Sequence, residues 1–309
     1  MSEKRIGLLG ATSLVGECLI PLLGVGGWQV VAFSRRGVEL GGAGVLWCRL
    51  DASLGLHPPT PTLSLYARSL GTKGERGLDG GISHWVCLAP IWVLPEHFKM
   101  LEDCGARRVV VLSSTSRFTK TDSSDLGENE IAAKLAEGEE RLRLWAERIG
   151  IEWVILRPTL IYGRGKDKNI AEIARFICRF GFFPLLGQAV GLRQPVHAED
   201  VAVACVAALI SPAAVNHAYN LSGGETLSYR EMVDRVCLSL SRRARLLTVP
   251  LGIFRFALVC LRLLPRYRHW SAAMAERMNQ DLVFDHKEAS RDLNFAPRPF
   301  RLAAKDMPQ

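Results

Sequence analysis

The sequence has no run of about 20 apolar residues, so no membrane-spanning helix is expected. It has no Cys-x-x-Cys pair either. Its eight cysteines are Cys18, Cys48, Cys87, Cys104, Cys178, Cys205, Cys237 and Cys260, several of them inside apolar runs. That pattern excludes a zinc site and a disulfide framework, and reads as reduced, buried thiols of a cytosolic protein. The opening MSEKRIGLLG lacks an apolar secretory stretch followed by a cleavage site. What is there is ordinary globular composition: 309 residues, 48% hydrophobic and 23% charged. Long disorder, collagen and coiled coil are thereby excluded, and one large domain or two smaller ones are expected. Lys+Arg is 39 against 31 Asp+Glu, a formal net charge of +8. This favours anionic partners such as a phosphorylated small molecule or a membrane surface. No RNA- or DNA-binding motif accompanies the charge, so nucleic acid is not expected.

Short apolar runs alternate with helical patterns over the first 160 residues. The expected strands are Arg5–Leu9, Gln29–Phe33, Val45–Leu50, His84–Leu88, Arg108–Leu112 and Glu152–Leu156. Each is rich in Val, Ile and Leu on both faces, as in a parallel sheet covered by helices on both sides. The fold class is therefore α/β. A Rossmann-type, doubly wound parallel sheet is expected over 1–160, with a smaller substrate lobe over 161–309 partly interleaved with it. Between the last two strands Ile131, Leu135, Leu142, Trp145 and Ile149 mark the buried face of a helix, which Gly150 should end. Glu137/Arg141 and Glu139/Arg143 are expected as i,i+4 pairs on its outer face. Further helices are expected over Ala171–Phe180 and Val201–Ile210, the second capped by Asp200. The pattern Ser228-Tyr-Arg-Glu231 reads as a capping box. The stretch Gly55–Gly81 is long for a βα connection.

After the first strand comes Gly10-Ala-Thr12-Ser13-Leu14-Val-Gly16, then the helical Glu17–Leu23. Small residues at a strand–turn–helix junction let backbone approach a pyrophosphate, and the helix N-terminus supplies N–H groups and positive dipole. In this pattern the chain resembles the extended or atypical short-chain dehydrogenase/reductase superfamily, which includes nucleotide-sugar epimerases, dehydratases and reductases. The family's glycine motif stands here as Gly10, Ser13 and Gly16, with Ser13 in place of the middle glycine. The second strand ends Ser34-Arg35-Arg36, with no acid where NAD-specific folds place one. Guanidinium groups suit a 2′-phosphate, so NADP(H) is the preferred cofactor and NAD(H) the alternative. The resemblance gives Asp51 to the adenine amino group, though a helix cap is its plainer role. It also places the backbone at Ala89 and Pro158 beside the cofactor.

The fifth strand ends Ser113-Ser114-Thr115-Ser116. The resemblance gives Thr115 or Ser114 the bond to the substrate oxygen that is oxidised or reduced. It also calls for a Tyr-x-x-x-Lys on the next helix as acid/base. One alignment puts Glu130 and Lys134 at those positions. Counting back from Leu156-Arg157-Pro158 puts Ile131 and Leu135 there instead. The tyrosines are Tyr66, Tyr162, Tyr219, Tyr229 and Tyr267, none of them on this helix. Either Glu130 replaces the tyrosine, as a carboxyl raised by burial can, or the usual chemistry is absent.

Beyond residue 156 the segments Leu156–Gly163, Arg193–Asp200, Tyr219–Glu225 and Asp281–Pro297 follow the family's order. Arg193 stands where the epimerases bind the substrate diphosphate, while Leu160 replaces their asparagine. The loop Gly163-Arg164-Gly-Lys-Asp-Lys168-Asn169 is basic and reads either as a phosphate site, through Arg164, or as a solvated loop. His197 reads as structural. Residues 251–268 form an apolar segment with Arg255, Arg262 and Arg266 on one helical face. It reads as a helix packed on the lobe or as a peripheral contact with anionic lipid. A homodimer is left open. Two functions follow: hydride transfer on a nucleotide-sugar or related phosphorylated substrate, or cofactor binding without catalysis in a sensor or assembly protein.

Overall fold

The computed structural model describes residues 4–34, 44–50, 81–121, 125–240, 245–250, 252 and 272–308. Arg35, Arg36, Asp51, all but the last residue of the connection 55–81 and most of the basic segment 251–268 lie outside these described residues. Among the described residues, no helix is long and apolar enough to cross a membrane.

Six of the expected strands form within two residues of their expected ends. They are β1 (Lys4–Leu9), β2 (Trp28–Ser34), β3 (Val45–Arg49), β4 (His84–Cys87), β5 (Arg108–Leu112) and β6 (Glu152–Pro158). A seventh, β11 (His217–Leu221), returns from far along the chain and pairs with β6, opposing Asn220 to Arg157. All seven lie in one parallel sheet, ordered β11-β6-β5-β4-β1-β2-β3. Strand order reverses between β1 and β4, so the crevice for a ligand opens at the carboxyl ends of those two strands.

One face of the sheet buries α1 (Leu14–Val25) and α6 (Ala198–Ile210). Their Val15, Leu19, Val201 and Cys205 pack on Ile6, Val30, Val110 and Val154. The other face buries α4 (Leu126–Ile149), a short α2 (Phe98–Asp103) and the 3-10 turn Ile91–His97. Phe98 stacks on Trp145 there, centroids 4.1 Å apart and nearly parallel. At about 25 cal/mol per Å², burial on both faces is the main stabilising force of such a sheet.

Gly150 ends α4 at φ +74, as its position in the sequence predicts. The outer pair expected between Glu139 and Arg143 does not form. Arg143 bonds Glu140 and Glu147, while Glu139 is buried beneath the helix at 4% exposure. The reason is geometric: Glu139 sits four residues after Leu135 and three before Leu142, inside the buried stripe. Asp200 is likewise not a cap. α6 begins earlier, at Ala198, capped by the His197 ring, which accepts from Glu199 N at 3.1 Å. Asp200 instead holds the Arg298 backbone and guanidinium.

Two short strand pairs follow the sheet: β7 (Ile161–Tyr162) runs parallel to β10 (Val196–His197), and β9 (Leu192–Arg193) antiparallel to β12 (Leu227–Ser228). The smaller lobe is built around α5 (Ile170–Phe180), α7 (Tyr229–Ser239), α8 (Ala272–Asn279) and the paired strands β8 (Phe183–Leu186) and β13 (Leu246–Val249). Ile173, Ile177, Leu185, Met232 and Val236 form its core. The capping box at Ser228 is present: its hydroxyl accepts from Glu231 N, and Glu231 Oε2 accepts from Ser228 N at 2.7 Å. Ser228→Ala should cost about 1 kcal/mol, read as a lower urea midpoint. An unchanged midpoint would show that α7 does not depend on this cap.

Candidate functional site

The turn after β1 is fixed by backbone crowding. Gly10 has φ +79, and a Cβ there would lie 2.6 Å from Ala89 N. A Cβ on Gly16 would lie 2.3 Å from Ala11 O. These contacts press the turn against the end of β4 and put Ala89 beside it. Ser13 caps α1, its hydroxyl oxygen accepting from Gly16 N at 3.1 Å. The hydroxyl hydrogen remains to be donated outward. Leu14 and Val15, in the first turn of α1, offer backbone N–H groups that take no partner among the described residues. Thr12 is exposed and Leu14 partly so. Ser34 closes β2 and accepts from Leu50 N through its carbonyl at 2.8 Å. Free N–H groups at a helix N-terminus fit a pyrophosphate.

Next to this turn, β5 delivers its hydroxyl cluster. Thr115 is buried, and its hydroxyl and N–H both donate to Pro158 O, at 3.3 and 3.2 Å. Thr115 Oγ1 therefore presents lone pairs. Ser114 is the reverse: its oxygen accepts from Ser116 N at 3.1 Å, leaving its hydrogen to be donated. A helical turn, α3 (Ser116–Thr119), follows.

Behind the cluster stands Glu139. Its carboxylate accepts from Ser113 Oγ at 2.5 Å, from Arg157 Nε at 3.0 Å and from Arg117. The bonds tie α4 to the ends of β5 and β6 and so fix the rotation of the helix. Leu135, four residues before Glu139, is buried on the same face, whereas Ile131, expected on the buried stripe, is 39% exposed. Glu130 and Lys134 lie on the outer side of the helix, joined to each other at 2.6 Å in solvent. Glu130 is 64% exposed, and the bond from Lys134 holds its carboxyl below the usual range. The burial an acid/base carboxyl needs is missing, and neither Glu130 nor Lys134 lines the site.

A cavity of about 820 Å³ runs from Ser114 and Thr115 into the lobe. Phe176, Phe183, Leu186, Met232, Met278 and Phe284 supply apolar wall, and Lys120, Lys168, Arg193 and Arg277 supply positive charge. Arg193, on β9, is only 4% exposed. Its guanidinium donates to the carbonyls of Leu192 and Gln280, both at 2.7 Å, and of Arg277, and lies over the Tyr229 ring. Among the described residues no carboxylate lies within salt-bridge distance of it. A buried cation held only by carbonyls is a strong attractor of an anion.

Arg164 does not reach this cavity. At φ +55 its chain turns toward α1, where it and Lys166 pair with Glu17 at 3.4 and 2.7 Å. The loop's far end, Lys168 and Asn169, does line the cavity. His197 is fully buried, bonded through Nε2 to Asp306 at 3.2 Å, and is structural as expected. Among the described residues no His/Cys/Asp/Glu group is placed to hold a metal ion.

Sequence reasoning missed Glu139, Lys120, Arg277 and Tyr229. Only Glu139 carried a signal, a carboxylate at a buried-stripe position. The others are brought together by the return of α7 and α8 to the sheet edge.

Together, a parallel sheet reversing between β1 and β4, a glycine turn at that point and a deep cationic cavity beside it define a Rossmann-type α/β architecture. Residues 98–222 match the NAD dependent epimerase/dehydratase family. Over 216 residues it is 26% identical to a UDP-glucose 4-epimerase of Vibrio cholerae, a stretch covering 68% of this chain and 61% of that enzyme's length. In structure it is similar to UDP-glucuronic acid 4-epimerase from Bacillus cereus in complex with NAD, with TM-score 0.67 and 14% identity over 98% of this chain and 95% of that one. It is similar too to epimerase Mth375 of Methanothermobacter thermautotrophicus, with TM-score 0.70 and 16% identity over 98% and 89% of the two chains.

Proposed function

We propose that this chain binds a nicotinamide dinucleotide at the carboxyl edge of the sheet and transfers hydride to or from a phosphorylated alcohol or carbonyl of the nucleotide-sugar kind. Gly10, Thr12, Ser13, Leu14 and Gly16 form the turn for the cofactor pyrophosphate, with the Leu14 and Val15 N–H groups as donors. Arg35 and Arg36 favour the 2′-phosphate of NADP(H), and Asp51 the adenine. Ala89 and Pro158 flank the nicotinamide end. Bound there, the cofactor would supply the hydride acceptor or donor. Ser114 donates to a substrate carbonyl oxygen, and Thr115 accepts from a substrate hydroxyl.

Arg193 carries the reading. A buried guanidinium with no carboxylate partner among the described residues, in a cavity reaching Ser114 and Thr115, calls for an anionic substrate group. The named relatives fit such a substrate: one is a UDP-glucose 4-epimerase and another holds NAD. Arg193→Met should weaken binding of UDP about 30-fold or more, as expected when a buried charged pair loses one partner at about 2 kcal/mol or above. Isothermal titration calorimetry reads it, and equal affinities would remove Arg193 from the substrate site.

The exposure of Glu130 favours a second reading. With Ile131 and Leu135 at the acid/base positions, the chain would bind NADP(H) without turning anything over. Tight NADPH binding without product from a panel of nucleotide sugars would support it.

A further inference from the structure

The cavity needs a group that can take and return a proton, and α4 offers none. Most of the other ionisable side chains along its wall are unsuited. Arg193 and Arg277 stay protonated at any accessible pH. Tyr229 lies deep against Arg193, and burial pushes its phenol up to about 12. Glu172 is mostly exposed and paired with Arg175 at 3.1 Å. Lys168 is exposed on the loop.

Lys120 is different. It follows α3 directly, so it belongs to the same short segment as Ser114 and Thr115 and shares their wall of the cavity. Its side chain is 21% exposed. The charged groups facing it come from two packed elements. Glu128 of α4 lies 3.7 Å from its Nζ, and Arg277 of α8 claims that same carboxylate. Asp125, just before α4, is the other acid near it. Burial, then the Arg277 charge, pushes the ammonium below the usual lysine range, with Asp125 acting the other way.

We propose that Lys120 is the proton-transfer group of this cavity, standing in for the acid/base that α4 does not supply. The inference rests on the hydride-transfer reading above. In the oxidative direction the substrate C–H bond breaks and its hydride leaves for the nicotinamide dinucleotide. The O–H bond breaks with it, the C=O bond forms, and the neutral Lys120 amine takes the proton to become ammonium. The alcohol is oxidised and the dinucleotide reduced. In reverse, the ammonium returns the proton to the oxygen as hydride arrives at carbon. An amine poised this way typically contributes a factor of about 10² to 10⁴.

The test is labelling with pyridoxal 5′-phosphate, a phosphate-bearing aldehyde, trapped with borohydride and mapped by mass spectrometry. Only a neutral amine forms the imine, with loss of water, and Arg193 would hold the phosphate. Lys120 should label at least tenfold faster than exposed Lys99, Lys166 and Lys168, and should reach its plateau rate at lower pH. Inorganic pyrophosphate should slow it. Lys120→Arg should lose the adduct while keeping the wild-type affinity for NADPH, measured by fluorescence. Labelling of Lys120 no faster than Lys168 overturns the inference, whatever the protein binds. Failure of the wild type to bind either NADPH or NADH overturns the hydride-transfer reading and with it the role given to Lys120. If a nucleotide sugar is turned over, Lys120→Arg should lower kcat about 100-fold and remove the low-pH limb of its profile. An unchanged profile would also overturn the inference.

Discussion

Glu139→Ala should lower the free energy of unfolding by about 3–5 kcal/mol, the usual cost of removing one partner from a buried ion pair. The carboxylate is 4% exposed and is the shared acceptor for Arg117, Arg157 and Ser113. Without it, two guanidinium groups sit at the sheet edge without their counter-charge. Urea denaturation with Arg157→Ala as the second arm of a cycle checks the assignment. The two effects should be non-additive by more than about 1 kcal/mol, as expected for contacting residues. Additive losses would show that Glu139 and Arg157 do not act together. A second consequence concerns function: Ser113 precedes Ser114 and Thr115, so loosening α4 from β5 should also weaken the hydroxyl cluster's hold on any ligand.

Gly10→Ala should be similarly damaging, for a reason that involves no charge. A methyl group at φ +79 meets the Ala89 nitrogen at 2.6 Å and the Leu88 carbonyl carbon at 2.8 Å. Both are backbone and cannot swing aside, so the ends of β1 and β4 must separate. Left-handed strain of about 1–2 kcal/mol adds to about 1–3 kcal/mol for overpacking. Gly27 supplies the control, with φ +74 and nothing within 4 Å of where a methyl group would sit. Gly27→Ala should cost only the strain. NADPH affinity, read by fluorescence, should fall more than about tenfold in Gly10→Ala and stay at the wild-type value in Gly27→Ala. Equal behaviour of the two variants would mean that the β1–β4 approach does not shape the site.

Much of the fold was legible because parallel strands buried on both faces leave continuous Val/Ile/Leu runs. The run 108–112 became β5 with the expected ends. The turn at Gly10–Gly16 was legible because its glycines answer local backbone constraints. Charge placement was less so. Glu139 and Arg143 have the spacing of a surface pair, and only the seating of α4 on β5 and β6 shows that one faces inward and the other outward. Arg164 looked equivalent to Lys168 within one basic loop, yet a residue at φ +55 sends them to different places.

The sequence by itself determined the sheet, its parallel character, the glycine turn and the absence of a tyrosine on α4, since each depends on residues near in the chain. The tertiary structure decided which face of α4 is buried, because the rotation of a helix is set by its partners across the sheet. It also decided that Arg193 is buried among backbone carbonyls and that Lys120 meets Arg277 at one cavity. Those environments join segments more than 80 residues apart, and desolvation, which governs both cations, arises only when the segments close over them.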